Sequence, residues 1–488
     1  MKSGQVYRNI IRSSAIYSIA VIAPLAVSVM MLPVYTRYLS PSDYGVIEVL
    51  QTTGSLFGMF LGARFADALL YYYAQVQGIE EQHRVASTAM LGAVGLAILV
   101  GTLAWFIAPF VSQLVFQTQR WSSGVWLILL AFALSLPAEV GLAWLRARNR
   151  STAFVVVSLG RLFLSIVVAI VLVAIRRLGV QGVLLTGVVT ATPAAVGMAA
   201  WCLAVASYAF DVSLFRKLVG FALPLGATGL ALFIIHSGDR FFLLRYVPLS
   251  DVGLYALAYK MGMMISLVQA AFSSYWFANV YHVASGEDGM LRFARVNTYQ
   301  LLVLAYGAML ITVFSAPAIH LFATPRYFAC LVYVPWITAA YVIRAEADFC
   351  RSVFFLEGKV GLDARLNWIA AIFCLAAYAV LIPVWKLWGA IAATALTFLL
   401  LLCLSWQQGM KLRPHTPETG RLVRIGSAAL LLATLAIWLK PAAMWAQWSI
   451  GILAAFSFPA LLALFGFFRP EEKDYAMHLY RRIAELFP

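Results

Sequence analysis

The sequence predicts an all-α polytopic membrane protein of about fourteen transmembrane helices, arranged as two pseudo-symmetric six-helix lobes and two C-terminal helices. Three observations lead to this fold class. The mean hydropathy is +0.88, and only 11% of the 488 residues are charged, against about 25% in a soluble domain. Apolar runs of about 20 residues, long enough to cross roughly 30 Å of hydrocarbon as a helix, recur along the whole chain. Finally, parts of the chain repeat 207 or 208 residues later.

Fourteen apolar runs define the predicted spans. They lie near residues 15–36, 44–75, 86–112, 123–146, 153–175, 180–208, 218–240, 252–283, 297–323, 328–350, 363–385, 387–408, 424–440 and 447–468. The first six form the predicted N-terminal lobe, residues 1–217, and the next six form the C-terminal lobe, residues 218–423. Residues 424–488 hold the last two spans and a cytoplasmic tail.

A repeated segment indicates that the two lobes are copies of one unit. Residues 37–45 read RYLSPSDYG and residues 245–253 read RYVPLSDVG, so Arg, Tyr, Ser, Asp and Gly recur at an offset of 208. Glu139 and Glu346 match at an offset of 207. Duplicated helical halves are typical of secondary transporters, which bind cargo between two repeats and open alternately to either side of the membrane.

The distribution of basic residues predicts that both termini lie in the cytoplasm. In this orientation the inner segments hold 22 of the 35 Lys and Arg and the outer segments hold nine, as the positive-inside rule requires. The formal charge of +15 is explained mostly by basic residues in the inner segments. It therefore does not require nucleic acid as a partner. Because the loops between spans are short, the chemistry must lie within the membrane.

Basic side chains at membrane depth are candidates for an anion-binding cavity, because each costs roughly 2.5 to 3.5 kcal/mol there and is normally kept for a function or a partner. Lys260 has no acidic residue three or four positions away, so it must meet a partner across a cavity or in a ligand. Arg161 is alone in the same way, although it lies nearer the inner surface and could snorkel.

Two further basic residues have acidic neighbours on the same helix face. Arg64 and Asp67 are three residues apart, and Arg344 and Asp348 are four apart. Such pairs either serve a cargo or hold helices in register, and spacing does not decide between these roles.

Several titratable side chains are candidates for ion coupling or gating, and they are Asp67, Glu48, Glu139, Glu346, Asp348 and His236. Glu139 and Glu346 precede the inner ends of equivalent helices, where bridging to the basic inner loops is the plainest interpretation and gating or proton transfer are the alternatives. His236 is the side chain in this set that titrates unaided near neutral pH. We expect the coupling ion to be sensed in the second span, by Asp67 or Glu48.

Catalytic chemistry, metals and cofactors are not indicated. The five cysteines show neither metal spacing nor a disulfide framework. The sequence contains no phosphate-binding glycine loop, zinc motif or nucleophile motif, which argues against an ATP-driven pump or a membrane enzyme.

Residues 32–45, LPVYTRYLSPSDYG, resemble the signature of Wzx-type polysaccharide flippases, whose superfamily also contains lipid II flippases and multidrug and toxin extruders. The resemblance implies a two-lobe helical fold and an undecaprenyl-diphosphate-linked oligosaccharide as cargo. It implies transfer from the cytoplasmic to the outer leaflet of a bacterial inner membrane, for O-antigen, capsule or exopolysaccharide assembly. Arg64, Lys260, Arg161 and Arg344 would then neutralise the diphosphate, and the partners would be membrane lipid and polysaccharide polymerases or other assembly proteins.

Two other functional classes are the alternatives. A cation-coupled multidrug extruder of the same superfamily typically has an acidic group in its first helix, whereas residues 15–36 contain no ionisable side chain except tyrosine. A membrane polymerase or ligase would need a large outer loop with catalytic groups, and the outer loops here are short. The sequence therefore favours a flippase, with the extruder as the runner-up.

Overall fold

The protein is described here by a computed structural model covering residues 23, 27, 28, 30–61, 64–439, 443–470 and 472, and every regular element in these ranges is helical. The α-helices are α1 Leu32–Tyr38, α2 Pro41–Leu61, α3 Phe65–Gln75, α4 Ile79–Phe116, α5 Ser122–Ala147, α6 Ser151–Ala169, α7 Gly179–Ala206, α8 Val212–Ser237, α9 Asp239–Tyr246, α10 Leu249–Gly262, α11 Ile265–Val283, α12 Gly289–Phe322, α13 Val334–Leu356, α14 Val360–Leu412, α15 Thr419–Leu439 and α16 Met444–Leu464. A π-helical turn, Ile170–Ile175, continues α6, and the 3-10 helix Pro325–Val332 precedes α13. The predicted all-helical class is thus confirmed.

The chain forms two compact units. The first consists of Met1–Ala256, Phe322–Tyr327 and Cys374–Ala390, and the second of Leu257–Leu321, Phe328–Phe373 and Ile391–Pro488.

In the first unit, α5 is the central helix and packs against α4 and α7. Most of the apolar stretch of α5 is buried, whereas α6 exposes nearly all of its own. This contrast is expected when a central helix is surrounded by protein and an outer one faces lipid. Trp144 and Cys202 are fully buried in one apolar core of this unit, and Leu50 is fully buried in a second.

In the second unit, aromatic rings join α11, α12 and α13. The ring of Trp276 lies 5.0 Å from Phe349 and 5.5 Å from Phe293, and the last two rings are 4.6 Å apart, measured between centroids. Such pairs are worth about 0.5 to 1.5 kcal/mol beyond the area they bury. A separate apolar core around Phe458 joins α12, α15 and α16.

The first repeated segment forms the start of α2 through a capping box. The hydroxyl of Ser40 donates to Asp43 Oδ2 at 2.7 Å, and the backbone N–H of Asp43 donates back to Ser40 Oγ at 3.1 Å. Pro41 occupies the first helical position, where its missing N–H leaves no donor unpaired. The start of α10, in the second repeated segment, lies against this start of α2.

The number of membrane spans agrees with the prediction only in part. Ten helices among the described residues are long and apolar enough to cross a membrane, or eleven if the bent pair Pro325–Val332 and α13 is one span. α14 contains two predicted spans, joined at Lys386, where the backbone leaves the helical conformation with φ 50°. A helix of 53 residues would extend about 80 Å, more than twice the hydrocarbon thickness, so a break is required there.

Two predicted spans at the start of the chain are described only in part. The predicted second span, residues 44–75, covers most of α2 and all of α3, with residues 62 and 63 outside the described ranges. The predicted first span, residues 15–36, lies largely outside the described residues. The total of fourteen therefore stays a prediction, as do the lobe boundaries 1–217, 218–423 and 424–488.

Candidate functional site

The most buried charge cluster of the first unit surrounds Arg240, near the start of α9. Its Nη1 atom donates to Asp239 Oδ1 at 2.7 Å and to the backbone carbonyl of His236 at 2.7 Å. Its Nη2 atom donates to Glu48 Oε1 of α2 at 3.4 Å. The hydroxyl of Tyr255 donates to the other oxygen of Asp239, and the guanidinium lies 5.7 Å from the centre of the Tyr255 ring.

Burial makes these contacts strong. The side chains of Arg240 and Asp239 are 5% and 0% exposed, and that of Glu48 is 20% exposed. Charge-assisted hydrogen bonds shielded from water are about twice as strong as neutral ones. Two carboxylates face one guanidinium here, and Glu48 is the carboxylate that solvent reaches.

Arg64 and Asp67 lie at the start of α3. Arg64 precedes the first turn of α3, and its Nη1 atom is 3.2 Å from Asp67 Oδ2. The side chains are 45% and 43% exposed. The expected pair is confirmed, and both groups remain accessible.

Glu139 and Arg161 form a pair that spacing along one helix did not predict. Arg161 Nη1 of α6 donates to Glu139 Oε1 of α5 at 3.0 Å, and the two side chains are 30% and 53% exposed. The contact made by Glu139 is therefore with a neighbouring helix, not with the basic inner loops as expected. Arg161 is also not alone, since its partner comes from across the helix interface.

In the second unit, Asp348 of α13 forms ion pairs with two arginines. Arg344 Nε lies 3.2 Å from Asp348 Oδ1, and Arg351 Nη2 binds the same oxygen. Arg351 also pairs with Asp363 of α14 at 2.9 Å. This network joins α13 to α14, and its arginines are 10% and 9% exposed. The predicted Arg344 and Asp348 pair is confirmed as part of a larger, buried network.

The remaining predicted residues have different surroundings. Lys260 lies near the end of α10 and exposes its side chain. Glu346 lies on α13 with its Oε1 atom shielded from solvent. His236 ends α8, and its backbone carbonyl binds Arg240. Among the described residues, no group of three His, Cys, Asp or Glu side chains is arranged to hold a metal ion.

Sequence reasoning missed Asp239, Arg240, Tyr255 and Arg351. Arg240 and Arg351 lie in short segments next to predicted spans, yet both are buried. A signal was present, since Asp239 and Arg240 directly follow an apolar helix and a buried Asp-Arg pair is a typical ion-pair site. Tyr255 gave no signal, because tyrosine is common throughout this chain.

Comparison with known proteins gives a family and a fold. Residues 10–277, more than half of the chain, match the family model described as "Polysaccharide biosynthesis protein". A comparison with curated protein sequences gives no match.

Solved structures share the fold. The protein is similar to "Lipid II flippase MurJ, inward closed conformation", with a TM-score of 0.74 and 13% identity over 91% of this chain and 98% of that one. It is also similar to an inward-facing multidrug resistance MATE family transporter of the MOP superfamily, with a TM-score of 0.59 and 13% identity over 85% of this chain and 99% of that one. At 13% identity these similarities establish a shared fold, and with its apolar helices the protein is a multi-pass membrane protein. The match over residues 10–277 shows that the chain belongs to the polysaccharide biosynthesis protein family.

Proposed function

We propose that this protein is a flippase for undecaprenyl-diphosphate-linked oligosaccharides, which it moves from the cytoplasmic to the outer leaflet of a bacterial inner membrane by alternating access. The observation that carries the proposal is the match to a polysaccharide biosynthesis family in a fold also adopted by a lipid II flippase. A diphosphate bearing a polar glycan cannot cross hydrocarbon unaided. The transported repeat units would supply O-antigen, capsule or exopolysaccharide assembly, with polymerases as downstream partners.

The accessibility of the basic side chains suggests how the diphosphate is bound. Arg64 and Arg161 are 45% and 30% exposed despite their acidic partners, and Lys260 is exposed as well. An anion can reach these three groups, whereas Arg344 is 10% exposed and engaged with Asp348. We therefore assign cargo binding first to Arg64, Arg161 and Lys260, and helix registration to Arg344.

The carboxylates paired with accessible arginines supply a route to ion coupling. When Asp67 or Glu139 takes up a cation, its arginine is released to bind an anionic cargo, and release of the cation restores the pair. Glu48 is likewise paired with an arginine, Arg240, although that arginine is buried. Asp67→Asn and Glu48→Gln should then uncouple transport without unfolding the protein.

Reconstituted vesicles test the cargo directly. Purified protein is placed in liposomes with an undecaprenyl-diphosphate oligosaccharide carrying a fluorophore on the glycan, and a membrane-impermeant quencher measures how much label changes leaflet. We expect flipping by the wild type and its loss in Arg64→Ala, with Arg326→Ala as a matched control on an outer segment. Absence of flipping by active, folded protein, together with transport of cationic drugs in the same vesicles, would favour the multidrug extruder instead.

A further inference from the structure

Three aromatic side chains of the first unit form a cluster near the end of α3 and in the first half of α8. The ring of Tyr71 stacks on that of Phe221, with centroids 4.5 Å apart and planes inclined by 19°. Tyr72 meets both rings edge-on, at 5.1 Å from Tyr71 and 6.1 Å from Phe221. Phe221 thus covers one face of the Tyr71 ring, yet Tyr71 is still 46% exposed. Its exposed area therefore lies mainly on the opposite face of the ring and at the hydroxyl group.

Tyr71 shares a helix face with the ion pair of Arg64 and Asp67. At 3.6 residues per turn, Tyr71 lies about 40° around the helix axis from Asp67 and about 20° from Arg64. Leu69 and Tyr73, on the other side of α3, are buried in the apolar core. Charged side chains facing hydrocarbon are strongly unfavourable, and both members of the ion pair are nearly half exposed. The face that carries Arg64, Asp67 and Tyr71 is therefore turned to water and not to lipid.

An interfacial anchor is the alternative role for an exposed tyrosine near the end of a span. Tyr208, which follows α7 and is 74% exposed, fits that role. Tyr71 differs in two respects, because it shares its face with two charges and because its ring is held flat against that of Phe221. A ring fixed in this way loses little conformational freedom when a ligand packs on it. These features are typical of a binding surface for a ring-shaped, partly polar ligand.

We propose that the open face of Tyr71, backed by Phe221, stacks against a sugar ring of the cargo glycan close to the diphosphate. One face of many pyranose rings carries mainly C–H groups, whose polarised hydrogens pack on the negative face of an aromatic ring. The tyrosine hydroxyl can donate to and accept from the sugar hydroxyls at the rim of the same ring. Tyr71 thereby determines specificity for a glycan, whereas the basic side chains recognise the phosphates.

The position of Tyr71 along α3 suits a lipid-linked glycan. Tyr71 is seven residues beyond Arg64, which corresponds to about 10 Å along the helix axis. In such a cargo the first sugar is bonded directly to the diphosphate, so a diphosphate at Arg64 brings the first sugars close to Tyr71. The end of α3 leads into residues 76–84, an inner segment in the predicted topology. The glycan then lies on the cytoplasmic side of the diphosphate, from which the cargo is collected.

This subsite rests on the proposed function, and the binding of two lipids tests the sugar contact separately from the phosphate contact. Full-length protein is kept in an amine-oxide detergent, which has no sugar headgroup. It is titrated with undecaprenyl diphosphate or with undecaprenyl diphosphate that carries the oligosaccharide. Native mass spectrometry measures the bound fraction of each lipid, and each variant is compared with the wild type for the same lipid.

The variants should affect the two lipids differently. Tyr71→Ala should bind the glycan-bearing lipid about tenfold more weakly than the wild type and bare undecaprenyl diphosphate equally well. Arg64→Ala should weaken the binding of both lipids. Tyr71→Phe keeps the aromatic face and should retain most of the glycan-dependent binding. Tyr208→Ala is the matched control and should bind both lipids as the wild type does.

Folding of the variants is checked by thermal unfolding. Because Tyr71 lies outside the apolar core that holds Leu69 and Tyr73, we expect Tyr71→Ala to unfold like the wild type. Should it unfold at a lower temperature, Tyr71→Leu replaces it, since leucine keeps apolar volume at this position and removes the aromatic face.

Two results would overturn the sugar contact. One is folded Tyr71→Ala or Tyr71→Leu protein that binds the glycan-bearing lipid as the wild type does, which is the behaviour of a membrane anchor. The other is an equal loss of binding for both lipids, which would mean that Tyr71 only supports the position of Arg64. Folded wild-type protein that binds neither lipid is a distinct result, and it would contradict the proposed function and the sugar contact together.

Discussion

Gly45 of α2 and Gly253 of α10 occupy equivalent positions in the two repeated segments and lie in direct backbone contact. A Cβ atom on Gly45 would overlap the carbonyl oxygen of Leu249 and lie 3.0 Å from the backbone nitrogen of Gly253. A Cβ atom on Gly253 would overlap the carbonyl oxygen of Pro41 and lie 2.9 Å from the nitrogen of Gly45. Leu249 is the counterpart of Pro41 at the 208-residue offset. The contact is therefore reciprocal. This is expected where two copies of a repeated segment pack against each other around a local two-fold axis.

Alanine at either glycine should destabilise the protein. The overlapping atoms belong to the backbone, so α2 and α10 would have to move apart, and overpacking of this kind costs about 1 to 3 kcal/mol or more. Thermal unfolding of purified Gly45→Ala and Gly253→Ala measures the effect. Gly95→Ala is the control, because a Cβ there meets no atom within 4 Å and alanine is the better helix former. Equal unfolding temperatures for all three variants would contradict the close contact.

The sequence predicted the helices and the repeat well, because both depend on local properties. Apolar runs of membrane length specify helices regardless of their neighbours. The repeated segment was recognisable from identical residues at a fixed offset. The two copies form a close helix crossing, which explains why glycine stands at positions 45 and 253. The start of a helix directly after Arg64 was not expected, since the apolar run continues past this residue.

The candidate site was predictable only where partners lie on one helix. Arg64 with Asp67 and Arg344 with Asp348 follow from spacing of three and four residues. Glu139 with Arg161 and Glu48 with Arg240 bring together residues 22 and 192 positions apart. Such pairs depend on how helices pack, which one sequence does not reveal.

Removal of Arg240 should destabilise the protein strongly. Asp239 is fully buried and would lose its counter-charge in Arg240→Met, a change that costs about 3 to 5 kcal/mol when one member of a buried pair is removed. Arg245→Met is the matched control, since that arginine is exposed and makes one hydrogen bond, to the carbonyl of Leu114. Unfolding temperatures compare the two. A partial recovery in the Asp239→Asn/Arg240→Met double variant would confirm that the unpaired charge is the cause.

The segment after α16 should be held by an ion pair that weakens in acid. Burial alone would raise the pKa of Glu472, but hydrogen bonds from Tyr299 and the backbone of Arg469, and the charge of Arg421, hold that pKa below its usual range. A carboxyl with a lowered pKa stabilises the folded state at neutral pH, and this contribution is lost as the pH falls from the unfolded-state pKa of about 4.3 through the lower folded-state pKa.

Glu472→Gln should accordingly unfold at a lower temperature than the wild type at pH 7, and the difference should shrink as the pH is lowered toward 3.5. Glu287→Gln, at an exposed turn, provides the comparison. A difference between Glu472→Gln and wild type that stays constant across this pH range would show that the charge of Glu472 does not stabilise the fold.

Single cysteines should label in the orientation that the basic residues predict. Cys403 is the one exposed cysteine among those described, so the labelling background is Cys403→Ser. In this background Ser42→Cys should react with an impermeant maleimide from outside intact cells, and Ser285→Cys only after the membrane is opened. The 22 to 9 excess of basic residues on the inner side is the physical reason. The reverse labelling pattern would invert the proposed topology.

Arg64, Asp67 and Lys260 distinguish cargo binding from helix pairing. Because the Arg64 and Asp67 side chains are nearly half exposed, their ion pair is worth at most about 1 kcal/mol. Arg64→Ala and the Arg64→Ala/Asp67→Ala double variant should therefore fold and unfold like the wild type. Lys260→Ala should also fold, since its side chain is exposed. Any large loss of activity in these variants then reflects transport and not stability.

Under the proposed function, all three variants should lose flipping of the labelled glycan in vesicles and leave lipid-linked glycan in the inner leaflet of cells. Arginine offers a planar fork suited to two phosphate oxygens and lysine a compact charge, so each makes a different kind of contact with phosphate. If Arg64 instead serves only to neutralise Asp67, removing both residues together should restore transport, because no unpaired charge remains. Full activity of the double variant, with Lys260→Ala also active, would place the diphosphate at other basic residues, and Arg161→Ala would be the next variant to measure.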